Sequence, residues 1–220
     1  MRCMTTCVVA AIALSMLGSS PAAGNLLVNP GFEDPITNDG PPFVGFWEGF
    51  QGGNAVSARG TDMPRNGEGH LALDISGDQT FAGAFQDVEG LSPGQLMNFS
   101  VWHKTLDDPF TLVSEVRIEW RKTGEPAEIS RTDNLLTPPT LDYSQVSVVA
   151  PVPAGADTAR VVYAIQSFTN DGLADIGTVY VDDVSLVVVP EPASLALIAL
   201  GGVGLIASSR RRRVRLPAAG

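Results

Sequence analysis

From residue 69 to residue 188 the sequence runs in short segments whose apolar side chains recur every second position, cut at intervals by turn residues. That period of two constrains the fold more than any other feature, because side chains on a strand alternate between its two faces. In the segment 112–122, Val116, Ile118 and Trp120 share one face, and Glu115, Arg117, Glu119 and Arg121 share the other. Ala159, Val161, Tyr163 and Ile165 oppose Arg160, Val162, Ala164 and Gln166. Met97, Phe99 and Val101 oppose Asn98, Ser100, Trp102 and Lys104. One apolar face per strand predicts two antiparallel sheets sharing a core, a sandwich or jelly roll. Trp120 falls on its core face and Trp102 on the polar one.

Strands are expected at Gly69–Ile75, Ala82–Val88, Leu96–Thr105, Leu112–Lys122, Tyr143–Ala150, Thr158–Phe168 and Val179–Val188, with short ones near Leu26–Val28 and Phe46–Gly49. The turns between them include Ser92-Pro93-Gly94, Thr123-Gly124-Glu125-Pro126, Thr137-Pro138-Pro139 and Asn170-Asp171-Gly172. Helical periodicity is confined to the two ends.

Residues 1–24 read as a signal peptide. Arg2 gives the positive start, Val8 to Leu17 the apolar stretch, and Ser19 to Gly24 the small-residue cleavage zone. Signal peptidase would remove both cysteines, Cys3 and Cys7, so the exported protein has neither disulfide nor thiolate. At the other end, Val189-Pro190-Glu191-Pro192 precedes an apolar stretch, Ala193 to Ala207, and then Arg210-Arg211-Arg212-Arg213. The prolines hold the joint extended. The fifteen residues 193–207 span about 22 Å as a helix, short of the ~30 Å hydrocarbon core, so even extended by the two serines a helix over 193–209 anchors only marginally. The arginines hold the C-terminus in the cytoplasm.

This tripartite tail resembles the PEP-CTERM sorting signal of Gram-negative bacteria. The resemblance implies recognition of Pro190, Glu191 and Pro192, with Arg210, Arg211, Arg212 and Arg213 completing the motif. It also implies processing by an exosortase after transient anchoring in the inner membrane. The destination would be the cell surface or the extracellular polysaccharide matrix. The organisation expected is signal peptide 1–24, sandwich 25–188 and sorting segment 189–215.

The body between the ends carries 8 basic and 23 acidic side chains, a net charge of −15. That sign argues against a nucleic-acid partner. The body opens on Asn25-Leu26-Leu27-Val28-Asn29-Pro30-Gly31-Phe32-Glu33 and closes on Val181-Asp182-Asp183-Val184-Ser185-Leu186. Between these come Leu91-Ser92-Pro93-Gly94-Gln95, Val101-Trp102 and Ala150-Pro151-Val152-Pro153-Ala154-Gly155-Ala156. The succession resembles the galactose-binding-domain-like β-sandwiches, especially the carbohydrate-binding modules of families 4, 9 and 22. The resemblance implies a jelly roll that binds glycan without catalysis and often holds one structural calcium.

Glu33 follows the opening strand and Asp182 lies in the last, and such sandwiches pair their terminal strands. Two carboxylates brought together repel unless a proton or a cation joins them, and hard oxygens suit Ca²⁺. The alternative is that both only cap turns. Glycan binding needs an aromatic platform flanked by planar hydrogen-bonding groups. Trp102 is the first candidate platform, with Arg117 and Arg121 on a similarly oriented face; Trp47 could line a loop site or anchor a Phe-rich cluster. A Trp102 beneath a covering loop would give the same pattern.

No nucleophile, zinc-protease or phosphate-loop motif is present. His70 and His103 stand apart in separate strand-like runs. Asp74 with Asp78, and Asp107 with Asp108, are the only carboxylate pairings that suggest glycoside hydrolysis. The sequence therefore favours a non-enzymatic glycan-binding module. A structural or adhesive matrix protein without a defined pocket is the second reading.

Overall fold

The computed structural model describes residues 24–168 and 175–190. Residues 1–23 of the signal peptide, the expected turn Asn170-Asp171-Gly172, Glu191-Pro192, the expected helix 193–209 and the arginine cluster lie outside the described residues. Among the described residues eleven strands follow one another: β1 (Glu48–Gly52), β2 (Ala55–Gly60), β3 (His70–Ser76), β4 (Phe81–Glu89), β5 (Leu96–Thr105), β6 (Val113–Arg121), β7 (Glu128–Arg131), β8 (Leu135–Leu136), β9 (Ser144–Pro151), β10 (Thr158–Gln166) and β11 (Ile176–Val188). They form two antiparallel sheets. The first has the order β1-β4-β10-β6-β7, with β8 also paired to β6; the second has the order β2-β3-β11-β5-β9. The fold is an all-β antiparallel sandwich, as the period of two required. Among the described residues no helix is long and apolar enough to cross a membrane.

The core lies between the sheets and takes the predicted faces. Val116, Ile118 and Trp120 of β6, Val161, Tyr163 and Ile165 of β10, and Met97, Phe99 and Val101 of β5 are all buried in one cluster. Strand β11 shows how the chain changes phase. Val179 and Val181 point inward, and so do Val184 and Leu186. A bulge between Asp182 and Ser185 absorbs the extra residue, with Asp183 at φ +46°. Asp tolerates that left-handed conformation because its side chain can bond nearby backbone.

Three differences from the sequence reading have local causes. Leu26–Val28 is not a strand: Leu26 N donates to Leu186 O, but the Asn25 side chain takes the next rung, accepting Leu186 N and donating to Val184 O. Strand β1 starts later than expected, at Glu48, and β2 is a further strand. Segments β7 and β8, of four and two residues, are too short to carry an alternation signal.

A chain of polar side chains crosses the core. Across the sandwich, His103 of β5 meets Tyr163 of β10, Nδ1 to hydroxyl 3.1 Å. The tyrosine hydroxyl lies 3.3 Å from Thr137 Oγ1, which is 2.5 Å from Ser114 Oγ. All four side chains are buried, and His103 Nε2 has no partner among the described residues. Leu26 bonds to the last strand and Val189 N donates to Leu96 O. Residues 24–190 thus contain both sheets, the whole core and the contacts that close it.

Candidate functional site

The outer face of the first sheet is unusual in being half-buried and both charged and aromatic. Along β6 the outward positions Glu115, Arg117, Glu119 and Arg121 form a ladder. Arg117 Nη1 donates to Glu115 at 2.6 Å and its Nε to Glu119 at 2.9 Å, and Arg121 Nη2 donates to Glu119 at 2.7 Å. Asn134 closes the far end on Glu115, and Arg121 Nη1 donates to Pro126 O. Alternation alone sets this pattern, since residues two apart share a face. Burial of Glu119 works against ionisation, but hydrogen bonds from Arg121 and Arg117 outweigh it and its pKa is lowered.

On the neighbouring strands the register sets Arg160 of β10 opposite Asp87 of β4. The pair is bidentate, Nε–Oδ1 2.7 Å and Nη2–Oδ2 2.8 Å. The same guanidinium lies 3.9 Å from the Phe85 ring centre and 4.9 Å from that of Phe43. Phe50 extends the aromatic row beside Phe85, at 6.1 Å between centres. Its ring lies over Gly83, where a β-carbon would sit 2.3 Å from Phe50 Cζ; only glycine opposite Phe50 lets the ring lie on the sheet. A cleft of about 470 Å³ opens at one end of this face, between the segment 41–44 and the turn 122–126. Phe43, Asp87, Arg121 and Arg160 line it. Arg121 Nε is buried with no partner among the described residues. Phe85 is buried beneath the Arg160 guanidinium, so the cleft offers the half-buried Phe43 ring beside fixed donors and acceptors, with the charges mutually neutralised.

The structure separates the residues that the sequence placed together. Arg121 lines this cleft, and Arg117 sits next along the ladder. Trp102 is on the outer face of the other sheet, paired with Asp182 of β11. It is not a free platform: the Arg65 guanidinium stacks 3.8 Å above its ring. The segment 61–68 that brings Arg65 there is pinned by Tyr180 hydroxyl to Asp62, Tyr143 hydroxyl to Met63 O, and the Arg65–Asp183 pair. Trp47 is a core residue, 3% exposed, with Nε1 donating to Asn29 O and its ring against Phe32. Alternation gives a residue's face but not what a loop lays over it.

Glu33 and Asp182 do come together. A β-carbon on Gly31 would lie 3.5 Å from Glu33 Oε1 and 3.7 Å from Asp182 Oδ1, so the two carboxylates flank one glycine. Asp182 is fully buried and accepts the backbone N–H groups of Arg65, Asn66 and Asp183. Glu33 accepts Glu68 N. Burial raises the Asp182 pKa, against those hydrogen bonds. Among the described residues no group of three or more His, Cys, Asp or Glu is placed to hold a metal. Asp74 and Asp107 both bond Thr178, through its hydroxyl and its N–H.

Residues 188–213 match the PEP-CTERM protein-sorting motif. The chain carries that sorting signal. Of its Pro-Glu-Pro element, Pro190 is described and is exposed, directly beyond the end of β11. No curated protein matches the sequence. Among solved structures, the enzymatically active domain of bacteriophage CBA120 tailspike protein 4 aligns over 75% of this chain and 21% of its own, at 18% identity and a TM-score of 0.58. An arabinose-bound GH51 α-L-arabinofuranosidase aligns over 77% of this chain and 27% of its own, at 15% identity and a TM-score of 0.51. The chain thus spans about a quarter or less of each of these proteins. The CBM22-1 xylan-binding domain of Paenibacillus barcinonensis Xyn10C is covered in full, with 79% of this chain, at 13% identity and a TM-score of 0.49. At these identities the likeness is one of fold.

Proposed function

We propose that the PEP-CTERM chain is an exported, exosortase-processed protein of the cell surface or extracellular matrix that binds polysaccharide without cleaving it. The binding surface is the outer face of the first sheet, centred on the cleft between Phe43 and Arg121. The observation that carries this reading is the half-buried Phe43 ring lining the cleft beside the fixed Arg160–Asp87 pair and Arg121, since an apolar sugar face needs a ring and its hydroxyls need fixed polar groups. The sorting motif supports export, and the sandwich supplies the rigid sheet.

Affinity electrophoresis of residues 24–190 in gels carrying soluble polysaccharides tests it. Retardation is expected on at least one polysaccharide, reduced ten-fold or more in affinity by Phe43→Ala or Arg121→Ala and unchanged by Trp102→Ala. The reverse pattern would move the site to the second sheet. Full mobility on every polysaccharide would favour the structural or adhesive matrix protein.

A single Ca²⁺ belongs to the same proposal. Glu33 Oε1 and Asp182 Oδ1 each accept one N–H and retain lone-pair capacity, and both lie beside Gly31. Backbone carbonyls would complete the set, and the ion would offset the repulsion between the two carboxylates. Millimolar EGTA is expected to lower the melting temperature of residues 24–190 by several degrees, with recovery on added calcium. Glu33→Gln should abolish the difference. An identical melt with and without calcium removes the ion.

A further inference from the structure

Exposed strand edges attract other strands, and proteins blunt them with charge, brevity or cover. In this sandwich three edges are blunted. Thr37 covers β1, donating to Trp47 O and accepting Gly49 N. Strand β2 carries Arg59 and leans on β1 through Ser57, whose hydroxyl donates to Phe50 O. Strand β7 has four residues, two of them Glu128 and Arg131, and β8 has two residues.

Strand β9 has none of these protections. It runs eight residues, Ser-Gln-Val-Ser-Val-Val-Ala-Pro, without a charged side chain. Its register with β5 is unbroken from Leu96↔Pro151 to His103↔Ser144, and β5 is its only partner strand among the described residues. Gln145, Ser147, Val149 and Pro151 are exposed. Beside the edge runs a groove of about 340 Å³, bounded by Thr132–Leu135 and Ser147–Val149.

We propose that β9 pairs antiparallel with β9 of a second copy about a two-fold axis at Ser147, making one ten-stranded sheet from two five-stranded ones. An open edge accepts any extended segment in principle. Two features select the second copy. A body with 23 acidic and 8 basic side chains repels itself through most of its surface, and β9 is a long uncharged strip. The strand is also self-matching. Centred on Ser147, Val146 meets Val148 and Gln145 meets Val149, so no like charges oppose and β-branched side chains meet across the pair. Val146 and Val148 share the inner side, next to the groove and Leu135. This interface lies on the sheet opposite the cleft and stands whether or not glycan binds.

Sedimentation velocity of residues 24–190 over micromolar to millimolar concentration reads the result. The expected outcome is a monomer–dimer equilibrium that Ser147→Lys shifts to monomer throughout, because two ammonium groups then face each other across the axis. Its thermal melt at low concentration should match the parent, as residue 147 is exposed. Register is read by Ser147→Cys, since opposed strand residues fall within disulfide range and residues 24–190 contain no other cysteine. Oxidation should yield a covalent dimer, while Gln51→Cys on the β1 edge should not. A parent that stays monomeric at every concentration, or a dimer indifferent to Ser147→Lys, overturns the proposal. So does a Ser147→Cys protein that fails to cross-link, which would mean a different register or occupant.

Discussion

Between about pH 6.5 and about pH 4 the sandwich is expected to lose about 3 kcal/mol of stability, and His103 is the main reason. The imidazole lies wholly inside the core with Nε2 unpartnered, and burial holds its pKa down to about 4. The unfolded chain binds a proton near pH 6.5 that the folded chain refuses. Stability is therefore complete above pH 6.5, falls as the pH drops through that value, and levels off below 4. His70 adds in the same direction, since burial lowers its pKa too. Urea midpoints at pH 7, 5.5 and 4.5 check this, compared with His103→Asn. The variant should start less stable at pH 7, where it loses the hydrogen bond to Tyr163, and then show a much shallower decline. An equal pH slope in parent and variant would clear His103 of the effect. Below about pH 4.5 a second loss begins: the lowered pKa of Glu119 means its contribution is present above the ordinary carboxylate value and fades as the pH falls through the folded one.

Glu119→Ala should cost about 3 kcal/mol at neutral pH. Glu119 is 5% exposed and holds Arg117 and Arg121 directly, with Arg131 Nη2 at 3.9 Å. Its removal leaves three guanidinium groups on a half-buried face with Glu115 and Glu128 as remaining partners. The penalty is that of unpaired buried charge, which exceeds the net contribution of the pair. Two measurements define it. The urea midpoint should fall by the stated amount, and polysaccharide retardation should weaken because Arg121 loses the contact that orients it. A loss below about 1 kcal/mol would mean that water already screens the ladder.

The charged and aromatic face illustrates how much of the site was visible beforehand. The outward set Glu115, Arg117, Glu119 and Arg121 follows from counting by twos, and so does Trp120 in the core. The partners of that set do not. Arg160 and Asp87 are 73 positions apart and meet only because β10 lies between β4 and β6. Phe43 comes from a loop with no periodic signal. The four-membered chain through His103, Tyr163, Thr137 and Ser114 was hidden because each residue reads as an ordinary strand or turn position by itself. Glu33 and Asp182 were legible as a pair only through the expectation that first and last segments meet.

Local chemistry is written in the order of residues, and whatever depends on that order alone is legible there. This includes the strand faces, the turns at Pro93-Gly94 and Thr123-Gly124, the β character of the body and the sorting motif at 188–213. The tertiary structure decided everything that depends on which strand neighbours which, and on where loops come to rest. It put Trp102 under Arg65 and Trp47 inside the core, set Arg121 in a cleft with Phe43, and left β9 as an open edge. The physical reason is that alternation specifies a side chain's face within one strand, whereas sheet order and loop placement are settled by the packing of distant segments against a shared core.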